Sequence, residues 1–132
     1  TCLWPERGLT LDDRNEQSLV LLAEYRKFQM VLTGDIGVQA EKELAASGML
    51  RRVELLKVAH HGSRHSSTEA FLSQVQPELS LISCSSTNRY GHPGEETLER
   101  LKQIGSRTLI TKDRGAIRVR TDGKKVWVKT WK

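Results

Sequence analysis

Leu56-Lys57-Val58-Ala59-His60-His61-Gly62-Ser63 is a short apolar run that ends in two histidines beside a glycine, and Val31-Leu32-Thr33-Gly34-Asp35 upstream ends the same way in a carboxylate. A buried strand that stops at Asp or His carries that side chain to the rim of a sheet on rigid backbone. Metal hydrolases place ligands at such rims, where their geometry is fixed and one side stays open to substrate. The two runs together therefore point to a metal site built at strand ends.

Outward from this pair, apolar runs at residues 18–24 and 30–33, separated by Tyr25-Arg26-Lys27-Phe28-Gln29, predict a β-hairpin. Residues 39–47 form a helix with Ala40, Leu44 and Ala45 on one side, stopped by Gly48. Residues 55–59 are a strand. Ser66-x-x-Glu69 reads as a capping box opening a short helix with Phe71, Leu72 and Val75 on its apolar face, closed by Pro77. A strand at 79–83, a polar loop at 84–93, an amphipathic helix at 95–104 and a strand at 108–111 follow. The chain ends in a hairpin, 116–120 and 126–131, with Asp122-Gly123 at its turn. Residues 1–17 are polar and turn-rich. Alternating strands and helices between two hairpins predict a single α/β domain, a mixed sheet with flanking helices.

The 132 residues suffice to bury a core, and 37% hydrophobic with 28% charged residues is ordinary for a globular chain. No apolar run approaches the ~18 residues of a membrane span. Cys2 and Cys84 lack metal or redox spacing and read as free thiols. The net charge of +5 suits a polyanion such as DNA. A basic face of Arg51, Arg52, Arg64, Arg118, Arg120, Lys124 and Lys125 would hold its backbone without sequence preference, although on the final hairpin such charges are equally a solvent face. The chain opens on Thr1 rather than Met, as a segment of a longer protein would.

Three loops carry the chemistry. Asp35, in Thr33-Gly34-Asp35-Ile36-Gly37, is either a metal ligand or the N-cap of the next helix. His60, His61 and His65 lie within six residues; on an extended strand the first two point oppositely, so that one ligates while the other packs or acts beside it. Ser63, Arg64, Ser66 and Ser67 are candidate phosphate donors, or simply form the turn and cap. In the third loop, Asn88-Arg89-Tyr90-Gly91-His92-Pro93, His92 is held at a helix entrance beside Asn88 and Arg89, a candidate anion site.

Val-Leu-Thr-Gly-Asp, Leu-Lys-Val-Ala-His-His-Gly-Ser and Asn-Arg-Tyr-Gly-His-Pro, in this order, resemble the metallo-β-lactamase-like domain of the ComEC DNA-uptake channel family. Asn15-x-x-Ser18-Leu19-Val20-Leu21 and Thr111-Lys112-Asp113-Arg114-Gly115-Ala116-Ile117 are similar to it too, so the resemblance spans most of the chain. It implies an αββα sandwich with a site for two divalent metal ions, zinc or manganese. Asp35 matches the family's bridging aspartate and His61 a terminal histidine ligand, with His60 the alternative. His60 and His92 are then the catalytic candidates, and Ser63, Arg64, Asn88 and Tyr90 the substrate-binding ones.

The family's earlier His-x-Asp-x-Asp-His motif is absent from this sequence. The chain therefore reads as the C-terminal half of the sandwich, a partial domain spanning residues 1–132 without the N-terminal half or membrane segments. Asp35 and His61 fall short of the three protein ligands of a catalytic zinc site, so the fragment alone is expected to be inactive. An unfinished sheet edge favours pairing with another chain. The resemblance implies hydrolysis of DNA phosphodiesters, destroying the strand that is not imported, beside a bacterial inner-membrane channel on its outer face. A hydrolase of a small ester or phosphodiester and a noncatalytic DNA-binding module are the alternatives.

Overall fold

The computed structural model describes residues 1–132. Its central sheet has six strands in chain order: β1 (Cys2–Trp4), β2 (Val20–Tyr25), β3 (Phe28–Leu32), β4 (Leu55–Lys57), β5 (Leu79–Ile82) and β6 (Arg107–Ile110). β1, β2 and β3 pair antiparallel, and β3 to β6 run parallel, so the sheet is mixed as expected. Each parallel step is made by a helix: α1 (Val38–Ser47), α2 (Glu69–Val75) and α3 (Glu95–Gln103). Because the strands are added in one direction, right-handed crossovers put all three helices on one face. There Val20, Leu22, Val31, Leu56 and Ile82 of the strands meet Ala40, Leu44, Phe71, Leu72, Val75 and Leu101 of the helices in the main core.

The opposite face holds Phe28, Leu55, Leu79 and Leu109, with Met30 and Leu81. A separate hairpin, β7 (Ile117–Thr121) and β8 (Val126–Thr130), lays Ile117, Val119 and Val128 against it. Its tip is tied to the β2–β3 turn: the Lys27 N–H donates to the Gly123 carbonyl at 3.0 Å and Arg26 to that of Asp122 at 3.2 Å.

Several local expectations are corrected. The stretch 1–17 contains β1 and a 3₁₀ turn at Asn15–Gln17. The cap of α2 is Thr68, whose hydroxyl accepts from the Phe71 N–H at 3.4 Å, so Ser66 and Glu69 form no capping box. Ser66 instead donates to the Ile36 carbonyl, 2.7 Å away. The strand expected over 55–59 stops at Lys57. A four-residue helix, α4 (Thr111–Arg114), follows β6 where only a connection was expected.

The loop between β4 and α2 is gripped from two helices. Glu41 of α1 is fully buried and accepts the Ser67 and Thr68 N–H groups at 2.5 and 2.7 Å. Arg100 of α3 donates to the carbonyls of Ser67, Ser66 and Arg64 at 2.8 to 3.0 Å. Burial pushes the Glu41 carboxyl above its usual value of 4.5, against the Thr68 and Ser67 N–H groups and the Arg100 charge. A carboxyl raised in the folded state favours folding fully below the unfolded value, and that contribution is lost as pH rises through the folded one. The stability difference between wild type and Glu41→Gln should therefore narrow as pH rises above 4.5 in denaturant titrations from pH 4 to 8; widening would contradict this origin.

Candidate functional site

The site lies at the carboxyl ends of the parallel strands, where three loops meet. The first follows β3, and its approach is fixed by backbone: Gly34 has φ +55°, and a Cβ there would sit 2.7 Å from the Ser18 side chain. The Gly34 carbonyl accepts the His60 N–H from the second loop at 3.1 Å. The Gly62 carbonyl accepts the Gly94 N–H from the third at 2.9 Å.

Asp35 does not cap α1. The N-cap is Gly37, without a side-chain cap, and the first turn is served from a distance by Glu16, which accepts the Gly37, Gln39 and Ala40 N–H groups at 3.1, 3.3 and 2.8 Å. The helix end is thus satisfied by another carboxylate. Asp35 is left half-exposed, with its Oδ1 3.7 Å from Nε2 of His61.

His60 and His61 do not leave an extended strand in opposite directions. Both occupy the left-handed region, at φ 47° and 55°, within a tight turn over Ala59–Gly62. Such conformations cost non-glycine residues on the order of 1–3 kcal/mol each. The turn is held by the bond to Gly34, by the Ser63 N–H on the His60 carbonyl at 2.9 Å, and by the Gly62–Gly94 bond. Nδ1 of His61 lies 2.7 Å from the Ser83 carbonyl, which can only accept, so Nδ1 carries the proton. Nε2 is then the atom turned toward Asp35. A histidine fixed through one nitrogen with the other free is how imidazole is oriented for a metal.

The other candidates group around His60. Its ring centroid is 5.5 Å from that of His92, and Tyr90, 83% exposed, stacks on His92 at 5.7 Å. Burial pushes His92 below its ordinary value, reinforced by the His60 and His61 charges and opposed by Asp35. An open cleft of about 820 Å³ runs between these rings, Arg64, Ser63, His65 and Asn15. A smaller depression of about 300 Å³ contains Asp35 and Glu16 and shares Asn15, His60, Ser63 and His65 with it.

The structure thus brings Asp35 to His61, and His60 to His92 and Tyr90. Ser63 is buried at 3% exposure, its hydroxyl accepting the His65 N–H at 3.2 Å. Asn88 clasps His92 from below: its carbonyl accepts the His92 N–H at 2.7 Å and its amide donates to the His92 carbonyl at 2.8 Å. Arg64 is exposed, with Nε 3.3 Å from Nε2 of His65.

Sequence reasoning missed Glu16, Glu41, Arg100 and Lys57. Burial pushes the Lys57 ammonium below its usual range, against the pull of the Asp35 charge. Apolar neighbours on β4 are the only signal that Lys57 is enclosed.

No three His, Cys, Asp or Glu side chains of this chain converge as a metal-binding group. The donor set fits part of a metal site, a carboxylate beside an oriented imidazole, and not a complete one.

Gly62 is where the second and third loops touch. It has φ +81°, and a Cβ there would lie 2.7 Å from Cβ of Pro93. Gly62→Ala should cost about 1–3 kcal/mol and shift the backbone resonances of both 58–63 and 91–95, read by denaturation and amide NMR. Shifts confined to the nearest neighbours would show that the loops are not coupled there.

Over 107 residues the chain is 37% identical to ComE operon protein 3 of Bacillus subtilis (strain 168), covering 81% of this chain and 14% of that protein. It is 35% identical over 117 residues to Recombination protein 2 of Haemophilus influenzae, covering 89% of this chain and 14% of that one. With Competence protein ComA of Neisseria gonorrhoeae the identity is 33% over 116 residues, 87% of this chain and 17% of the relative. The chain spans about one sixth or less of the length of these relatives. No family model matches it. On this similarity, which runs through all three loops of the site, the chain is homologous to proteins of the competence and DNA-uptake family.

Proposed function

We propose that this chain contributes half of a two-metal phosphodiesterase site that degrades the non-imported DNA strand during natural transformation. The observation that carries the reading is the meeting of Asp35 with His61, 3.7 Å apart at adjacent strand ends, with Nδ1 of His61 engaged on Ser83 and Nε2 free. The role in transformation follows the competence relatives. The remaining ligands come from chain outside these 132 residues, in a metallo-β-lactamase-like sandwich of which this sheet is one layer. The domain works at the outer face of the inner membrane, beside the channel that takes up the surviving strand.

Asp35 and His61 would hold zinc or manganese; when bound, such a metal lowers the pKa of water and neutralises charge developing on the phosphate. The chain's own residues do the rest. Asp35 offers its carboxylate Oδ1 beside Nε2 of His61. His61 holds its proton on Nδ1, which keeps Nε2 for the metal. His92, whose pKa burial and the neighbouring His60 and His61 push down, faces His60 across the cleft and is placed to exchange a proton with substrate. Arg64 supplies positive charge to a phosphate at the cleft rim, and the Tyr90 ring offers an exposed surface to a base. The buried Ser63 hydroxyl and the Asn88 amide position the loops and leave substrate contact to these side chains.

The test is cleavage of linear DNA, with manganese or zinc, by this chain and by a protein extended N-terminally to include the rest of the domain. Activity is expected only in the extended protein, with Asp35→Ala and His61→Ala each lowering it by about 100-fold or more. Cleavage that survives Asp35→Ala would overturn the metal assignment. An extended protein that binds metal, spares DNA and cleaves a small phosphodiester such as bis-p-nitrophenyl phosphate would make the small-substrate reading the better one.

A further inference from the structure

The net charge of this chain sits in one place. Residues 116–132 carry six Lys or Arg and a single acid, Asp122, which matches the +5 of the whole molecule; the remainder is balanced, with 15 cationic and 15 acidic side chains. That segment is the β7–β8 hairpin, packed on the sheet through Ile117, Val119 and Val128. Strand alternation sends the intervening side chains outward. The outer face consequently bears Arg118 opposite Lys129 and Arg120 opposite Trp127, with Trp131 beyond.

Both tryptophans are about half exposed, at 52% and 50%. Arg118 and Lys129 each lie 5.0 Å from the Trp131 ring centroid, so their charges are held over an aromatic surface. Trp127 lines an open groove of about 670 Å³ with Arg118, Arg120, Lys129 and Asp122. This groove shares no residue with the histidine cleft. Both ends of the hairpin are anchored, the tip by Lys27 and Arg26 and the base by the Trp131 N–H on the Arg114 and Ala116 carbonyls, 3.2 Å each.

We propose that the outer face of the β7–β8 hairpin is a binding platform for single-stranded DNA, with Trp127 stacking on a base and Arg118, Arg120 and Lys129 tracking the phosphates. Exposed aromatic rings interleaved with cations are the combination by which proteins hold single strands without reading sequence. Trp131 lies one residue past β8, and four residues of extended chain separate its Cα from that of Trp127 by about 13 Å, a span of a few nucleotides. A duplex offers its phosphates to the same cations and hides its base faces, so the tryptophans confer preference for the single strand. An anionic membrane surface is less well matched, because cations stand opposite or beside each ring and break any continuous apolar strip. The choice of DNA rests on the proposed role in DNA uptake; phosphodiester hydrolysis plays no part in it.

The test is fluorescence anisotropy of a labelled 20-nucleotide oligo-dT and of a labelled duplex, at several salt concentrations in EDTA, where no cleavage occurs. The 132-residue chain should bind the single strand about 10-fold more tightly than the duplex. Trp127→Ala should lose about 10-fold on the single strand with little change on duplex, and Trp127→Phe should recover most of it. Arg118→Gln with Arg120→Gln should weaken both ligands and flatten the salt dependence by 1 to 2 in log–log slope. Asp35→Ala should bind as wild type, so a failure of this proposal and a failure of the hydrolase reading are separable. Unchanged affinity in a folded Trp127→Ala protein would overturn the platform. So would Trp127 emission that shifts with phosphatidylserine-containing vesicles and not with oligonucleotide.

Discussion

Two backbone hydrogen bonds, the His60 N–H to the Gly34 carbonyl and the Gly94 N–H to the Gly62 carbonyl, hold the three loops of the site against one another. Everything proposed for the rim depends on them, because the side chains they gather have few direct contacts. Asp35 and His61 are 3.7 Å apart and both are well exposed, and with Nε2 of His61 unprotonated no ion pair draws them together. Their proximity is imposed by the sheet, which places β3 beside β4 in parallel, and by the turn at Ala59–Gly62. The left-handed backbone at His60 and His61 is the strain this arrangement carries, and bonds on both sides of the turn hold it in place.

Polar residues, Glu41 buried and Glu16 and Arg100 half-buried, hold the frame one layer further in. Glu16 and Glu41 each use a carboxylate to satisfy backbone N–H groups that would otherwise be left without partners, Glu16 at the start of α1 and Glu41 at the start of α2. Glu41 has no exposed surface; burial disfavours its charge, and those donors and the Arg100 guanidinium offset only part of that penalty. Arg100 meanwhile spends its own donors on carbonyls of the same loop. Acid and base thus grip one stretch of backbone from two helices.

The sheet and its helices were legible because apolar periodicity is a local property: β3, β4 and the helices ending at Ser47, Val75 and Gln103 overlap the expected runs, although β3 begins at Phe28, inside the expected turn, and β4 stops two residues short. Asp35, His60 and His61 were legible as candidates for a related reason, since a polar ligand type that terminates an apolar run stands out; His92 stood out only by its place beside Gly91 and Pro93 at a helix entrance. What could not be read was anything set by distant partners. The orientation of His60 and His61 follows from the bond to Gly34, not from strand parity. The identity of the α1 cap follows from Glu16, 21 residues before Gly37 in sequence. Helix α4 has four polar or charged residues and no periodicity to announce it. The outward position of Trp127 and Trp131 depends on Ile117, Val119 and Val128 being the residues that cover the sheet, which an alternating strand leaves undecided.

The most direct measurement of the central claim is the nitrogen chemistry of the histidines. Long-range ¹H–¹⁵N correlation NMR on the ¹⁵N-labelled chain reports the tautomer of each ring, and addition of zinc reports which nitrogen responds. The account predicts that His61 is protonated on Nδ1, and that its Nε2 is the first histidine nitrogen shifted by zinc, an effect that Asp35→Ala abolishes. A His61 protonated on Nε2, or a response to zinc led by His60, His65 or His92 with His61 unmoved, would contradict it.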